Sequence, residues 1–309
     1  TIGFPGSESG VIRIHGSNKA IAVTTDCTPR YCANNAELGA CQAVVESYRN
    51  LCAVGSKPLA VTDCLNFGNP ENPHVMRQII DSIKGISLAC KALSMPVVAG
   101  NVSLYNETEG ESIPPTPQIG AVGVIKDVNK YVSNFPSEPN NQNIILLGDT
   151  KGHLSCSIYA QKIENINKGT PPPIDLKKEL KYGIFIQELC SEEFITSCRD
   201  LSDGGLGIAL TELCLMSKIG CRIESQNSNI IAWLFGEDQS RYIITCTDVN
   251  LNNIIEKARN KNISAEVIGR LVGKNFEVTE QSKKTDKISI DKLENIRNNW
   301  FKDYISIIN

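Results

Sequence analysis

No stretch of this chain approaches the roughly 20 consecutive apolar residues needed to span a bilayer. The opening TIGFPGSESG has neither a basic region nor an apolar core, so it does not read as a secretory leader. It starts without Met, which reads as a fragment or a processed chain. An excess of one charge is also missing: 31 Lys and Arg against 34 Asp and Glu leave a net charge of −3. That balance gives no electrostatic case for nucleic acid or an anionic membrane. Histidine is scarce. His15, His74 and His153 stand isolated, with no nucleophile or acid at a telling distance, so no general base is evident. Twelve cysteines are present, but they form no C-x-x-C and no Cys/His pair at zinc-ligand spacing. Cys41, Cys52, Cys90 and Cys214 fall inside apolar patterns, as small hydrophobes do. They read as reduced thiols of a cytoplasmic protein.

The 309 residues, 41% hydrophobic and 21% charged, supply material for about two domains. VIRI and AIAVTTD read as strands joined by a turn over His15–Lys19. Leu38, Cys41, Val45, Tyr48 and Cys52 step by three and four, which predicts a helix over 36–54 stopped by Gly55. Met76, Ile79, Ile83, Ile86, Cys90 and Leu93 predict a second helix over 73–94, with Pro73 in its first turn. Strands are expected over 58–63, 96–100 and 118–126. SNFPSEPNNQ (133–142) has two Pro, three Asn and no periodicity, and reads as a linker. Beyond it come strands at 143–149, 241–246 and 265–272. Helices are expected near 176–191, up to about 218 with Gly220 as cap, near 250–260 and over 291–306. The fold class is α+β or α/β in two units, residues 1–138 and 139–309.

PLAVTDCLNFGN (58–69) is echoed 38 residues on by PVVAGNVSLYN (96–106). Each runs from Pro through small apolar residues to a polar oxygen, Asp63 in one and Asn101 in the other. Such residues emerge in the crevice beyond a sheet. Both are expected at one sheet edge, facing a common phosphate-and-cation guest. A carboxylate and an amide suit Mg²⁺, which takes few protein ligands beside phosphate. Gly100 would let a ligand approach the backbone, and Ser103 would share the face of Asn101. The alternative is that Asp63 and Asn101 cap turns. Asn66 and Asn69 fit a turn better than a site. DLSDGGLG (200–207) is either a phosphate-binding helix entry or a turn with Asp203 as N-cap. Glu237 and Arg241 fit an i,i+4 surface pair. Asp26 stands alone, with Arg30 and Tyr31 behind it able to meet an anion.

TTDCTPRY, PLAVTDCLNFGNPENP, PVVAGNVSLYNET, DLSDGGLGIAL and LFGEDQSR, in this order, resemble the synthetase component of the phosphoribosylformylglycinamidine synthase family. The resemblance covers almost the whole chain and is to the second of that component's two tandem halves. Each half is similar to aminoimidazole ribonucleotide synthetase: an α+β N-domain that pairs into a barrel-like core, then an α/β C-domain. The resemblance implies ATP- and ammonia-dependent conversion of formylglycinamide ribonucleotide to its amidine in purine biosynthesis. It implies ATP and Mg²⁺ as cofactors, a first synthetase half and a separate glutaminase as partners, and a fragment inactive alone. Position by position it makes Asp63 and Gly100 nucleotide contacts, Asn101 a Mg²⁺ ligand and Ser103 a substrate contact. The family's histidine-bearing motif is TTDCTPRY here, without His. That departure leaves open a non-catalytic scaffold holding a structural nucleotide, or a self-sufficient homodimeric ATP-dependent enzyme. Exposed N-domain strands would favour a homodimer of the isolated chain.

Overall fold

The computed structural model describes residues 1–3, 5–281 and 284–308. The N-terminal part opens with β1 (Gly10–Arg13) and β2 (Ala20–Asp26), followed by α1 (Pro29–Asn34) and α2 (Ala36–Ala53). Then come β3 (Lys57–Asn66), α3 (Pro73–Leu93) and β4 (Val97–Ser103). A small hairpin, β5 (Glu107–Thr108) and β6 (Glu111–Ser112), precedes β7 (Thr116–Ile125). The larger strands form a sheet in the order β1-β2-β7-β3-β4, in which β3 and β4 are parallel. The parallel pair needs a crossover, and α3 supplies it.

Asn35 caps α2 through its side chain, accepting from Leu38 N–H at 2.9 Å. α2 is covered on nearly every side: Ala40, Val44, Val45, Leu51 and Cys52 are buried, and so are the polar Gln42, Ser47, Arg49 and Asn50. Gly55 ends the run with φ +77°, a left-handed backbone that glycine adopts freely. α2 and α3 touch closely at Gly85, where an added Cβ would lie 2.0 Å from the Glu37 carbonyl oxygen. Gly85→Ala should therefore force the helices apart and cost about 1–3 kcal/mol, read from denaturant unfolding.

The C-terminal part begins with β8 (Asn143–Leu147), α4 (Ile158–Lys162), α5 (Leu176–Ser191) and β9 (Ser197–Asp200). It continues through α6 (Gly205–Ser217), β10 (Cys221–Ser225), α7 (Ile230–Phe235), β11 (Tyr242–Cys246) and α8 (Asp248–Asn260). β12 (Ala265–Leu271), β13 (Asn275–Glu280), β14 (Lys284–Ser289) and α9 (Ile290–Ile308) complete it. Its sheet has the order β14-β13-β10-β12-β8-β11-β9. The helix ending near 218 is closed by Lys218 at φ 53°, not by Gly220. Gly220 is small for a different reason: a Cβ there would sit 2.1 Å from the Asn275 carbonyl oxygen.

The two sheets share one core. Val44, Tyr48, Leu51 and Cys52 of α2 belong to the same buried cluster as Phe185 and Leu189 of α5 and Ile244 of β11. The other face of the N-terminal sheet is bare. Ile12, Ile21 and Val23 stand exposed there, with Val122 and Val124 half-buried beside them.

Candidate functional site

β3 and β4 run in register, Asp63 beside Gly100, Cys64 beside Asn101 and Asn66 beside Ser103. Successive side chains of a strand point to opposite faces. Asp63 and Leu65 therefore look inward, towards α3, while Cys64 and Asn66 look out on the bare face. The contacts agree. Asp63 Oδ1 lies 2.3 Å from where a Cβ on Gly100 would stand, so the carboxylate rests across the glycine backbone. Asn101 Nδ2 points to Cys64 Sγ at 3.5 Å. Asp63 and Asn101 are offset by one residue in the ladder and so lie on opposite faces of the sheet, which corrects the expectation of matched register and one shared pocket. Both strands run three residues further than the spacing suggested, so these residues lie within the ladder and obey its alternation.

The inward face holds a 590 Å³ cleft lined by Asp63, Leu65, Ile83, Ile86, Cys90 and Lys91 among others. Partial burial raises the Asp63 carboxyl above its ordinary range. On the outward face Ser103 Oγ meets Asn106 Oδ1 at 3.2 Å, and Asn106 Nδ2 donates to the Phe67 and Ser103 carbonyls, both at 3.0 Å. Ser103 thus shares the face of Asn101, as the spacing predicts. Among the described residues β4 is the last strand of its sheet and its outer edge is unpaired. That edge is the place from which one guest could reach both faces, over Gly100. Asn69 is a turn residue, its Oδ1 accepting from Glu71 N–H at 2.8 Å.

The donor set fits a lightly held hard cation. Among the described residues no group of three or more His, Cys, Asp or Glu side chains is placed to hold a metal. Asn101 is exposed, and among the described residues nothing donates to its Oδ1. A Mg²⁺ ion there would draw most of its ligands from water and phosphate, as that ion usually does.

The remaining motifs converge elsewhere, on the seam between the two sheets. Arg30 donates to Asp203 at 2.8 Å, to Glu237 at 2.7 Å and to the Cys156 carbonyl at 2.8 Å. Tyr31 Oη donates to Glu237. Glu237 is fully buried and also accepts from the backbone N–H groups of Ile158 and Gly204, each at 2.8 Å. The anion at the DLSDGG turn is therefore the chain's own Glu237. Asp203 is not the N-cap of α6, a position held by Gly204. Glu237 and Arg241 do not form the expected surface pair: both are buried, and Arg241 donates to the Gly236 and Asp238 carbonyls and to Thr150. Arg49, buried in α2, reaches Glu179 at 3.2 Å, Asp200 at 3.3 Å and Gln239 at 3.0 Å. Nothing in the sequence marks Arg49 beyond its place one residue after Tyr48, a member of the helix's apolar face.

Beside this seam lies a polar cavity of 430 Å³ lined by Glu8, Asp26, Glu46, Asp200 and Arg199 among others. Asp26 accepts from Ser47 at 2.7 Å, Asn50 at 2.8 Å and Thr24 at 3.0 Å. Burial nevertheless raises its carboxyl to about 6, against the hydrogen bonds from Ser47 and Thr24. Burial, together with Asp26 and Asp200 nearby, raises Glu46 to about 8. Folded values above the unfolded ones mean that the native state holds extra protons, so stability falls as pH rises. The contribution is complete below about pH 4 and is lost through the folded values near 6 and 8. Glu46→Gln should stabilise the protein against urea at pH 8.5 and change little at pH 5.

Comparison with known proteins places this architecture. Residues 6–125 match the AIR synthase related protein, N-terminal domain, and residues 140–280 match its C-terminal domain. The chain is similar to the phosphoribosylformylglycinamidine synthase subunit PurL of Bartonella henselae, 43% identical over 309 residues, which is 99% of this chain and 41% of that protein. The PurL subunit of Caulobacter vibrioides is 42% identical over 302 residues, 97% of this chain and 40% of that protein. The chain thus spans about two fifths of the length of the curated relatives it matches. Among solved structures, Thermotoga maritima PurL complexed with FGAR superposes with a TM-score of 0.79 at 19% identity, over 93% of this chain and 48% of that one. The tt0281 protein of Thermus thermophilus superposes with a TM-score of 0.66 at 16% identity, over 91% of each chain. Both likenesses are of fold.

Proposed function

The chain belongs to the AIR synthase related family, and from that premise we propose that it is the C-terminal half of the synthetase component of phosphoribosylformylglycinamidine synthase. The reaction is the ATP-dependent activation of the amide oxygen of formylglycinamide ribonucleotide, followed by displacement of phosphate by ammonia. A separate glutaminase subunit supplies the ammonia, and the setting is the cytoplasm, where twelve free cysteines stay reduced. The observation that carries this reading is an incomplete site. The exposed amide of Asn101 and the hydroxyl of Ser103 lie at one end of a sheet face whose other end, at Ile12, Ile21 and Val23, is apolar and bare. A companion half laid on that face, its strands closing a barrel with these, would complete the site.

In this assembly Asp63 and Gly100 contact the nucleotide, Asn101 holds Mg²⁺ and Ser103 contacts the ribonucleotide. The ion, when bound, neutralises and orients the phosphates. Asp63, on the wall of the inward cleft, would accept hydrogen bonds from the nucleotide. Gly100 keeps the backbone bare where the carboxylate crosses it. Ser103, fixed by Asn106, offers its hydroxyl on the outward face. TTDCTPRY, where the resemblance expects a histidine, has none, so this half contributes contacts and leaves proton transfer to its companion. That same absence favours a second reading, a scaffold holding a structural nucleotide, which would copurify and exchange without turnover.

Mixing this chain with a separately made first half, ammonia, ATP and formylglycinamide ribonucleotide should restore product formation that neither half gives alone. The chain alone should turn over no ATP, and its bare sheet face should pair it with a second copy, read by sedimentation. Assembly without product would sink the enzymatic reading.

A further inference from the structure

On the outward faces of β3 and β4, two carboxamides meet the single sulfur of Cys64. Asn101 Nδ2 and Asn66 Nδ2 both lie 3.5 Å from its sulfur. Asn66 is further fixed through the Cys64 carbonyl at 2.9 Å. The thiol is half-buried, so it is neither sealed in the core nor free to swing in water. Resting on the proposed nucleotide site, we propose that Cys64 is a positioning residue: its sulfur takes the amide hydrogens of Asn101 and so turns the carboxamide oxygen outward, to a hard divalent cation.

The chemistry favours this orientation. A carboxamide has two ends, and only the oxygen can ligate a cation. An exposed Asn at an edge strand is otherwise free to flip and present its NH₂ group, which repels the ion. A sulfur can accept weakly from more than one N–H, and its own S–H is a poor donor. The register sets the contact, because Cys64 and Asn101 are directly paired in the parallel ladder. An outer group that orients a ligand without touching the metal commonly contributes about tenfold or more to affinity.

The test uses the assembly of this chain with its companion half. Mn²⁺ binding in the presence of ATP is followed by the loss of the free-ion EPR signal, beside the Mg²⁺ dependence of turnover. Cys64→Ala should weaken Mn²⁺ about tenfold and raise the Mg²⁺ needed for half-maximal rate by a similar factor. The KM for ATP at saturating Mg²⁺ should stay within about twofold, since no nucleotide contact is removed. Cys64→Ser, whose hydroxyl also accepts, should restore most of the affinity. A merely structural thiol would instead lower thermal stability in both variants without moving the metal dependence. Unchanged Mn²⁺ affinity in Cys64→Ala, or no rescue by Cys64→Ser, overturns the role of Cys64 alone. If the unaltered assembly shows no ATP-dependent Mn²⁺ binding, the site reading itself fails and this inference falls with it.

Discussion

Arg49→Ala should lower the unfolding free energy by about 3–5 kcal/mol, read from urea denaturation at neutral pH. The side chain is fully buried between the two sheets, with Glu179 fully buried on one side and Asp200 nearly so on the other. Burial opposes its charge, but Glu179 and Asp200 outweigh that and keep the guanidinium ionised. Removing it strands two carboxylates in a low-dielectric seam. Burial already raises Glu179 despite Arg49 and Ser240, so without the arginine it would take up a proton on folding. The loss in Arg49→Ala should therefore shrink as pH falls. Glu179→Gln in the Arg49→Ala background should recover part of it, because one stranded charge is gone. If Arg49→Ala unfolds within about 0.5 kcal/mol of the parent, a change typical of surface sites, the seam is not held by this group.

The seam also explains which parts of the fold were legible in the chain. Helices 36–54, 73–94 and 176–191 were readable because one face of each carries apolar residues at helical spacing, and α2, α3 and α5 span nearly the same limits. β9 and β14 were not, because SCRD and KTDKIS carry no apolar alternation. β9 is held by contacts far off in sequence: Asp200 meets Arg49 across 151 positions. The same distance hid the meaning of TTDCTPRY, DLSDGG and LFGEDQSR. LFGEDQSR looked like an i,i+4 pair, DLSDGG like a capped turn or a phosphate-binding helix entry, and TTDCTPRY offered Arg30 and Tyr31 to an unspecified anion. Arg30, Asp203 and Glu237 form one clamp that no local spacing could reveal. The β3/β4 echo had the opposite fault. Its parallel pairing was legible, but its 38-residue spacing is not the register of the ladder, which pairs Asp63 with Gly100 and Cys64 with Asn101, so a shared pocket was expected where the ladder puts two faces. Cys64 was read only as one thiol among twelve, because the 38-residue echo sets Asp63, not Cys64, opposite Asn101.

Strand parity carries the second large effect. In the reconstituted synthetase, Asn101→Ala should reduce kcat/KM by about two orders of magnitude and raise the Mg²⁺ requirement. Asp63→Ala should instead raise the KM for ATP about tenfold with kcat nearly preserved, since a carboxylate hydrogen bond contributes about 1.5–3 kcal/mol. The two defects differ in kind because the residues work on opposite sides of the sheet at a single edge. Gly100→Ala gives an independent check. Its Cβ would stand 2.3 Å from Asp63 Oδ1, so the carboxylate must move and the variant should copy the Asp63 defect, leaving the Mg²⁺ dependence alone. In the double variant Asp63→Ala with Asn101→Ala, the losses should multiply to within about 0.5 kcal/mol, as for sites with no shared protein partner. A coupling well above that would mean that both side chains grip the same atoms of the guest. The edge of β4 would then have to open, letting Asp63 swing past Gly100 to the outward face on binding.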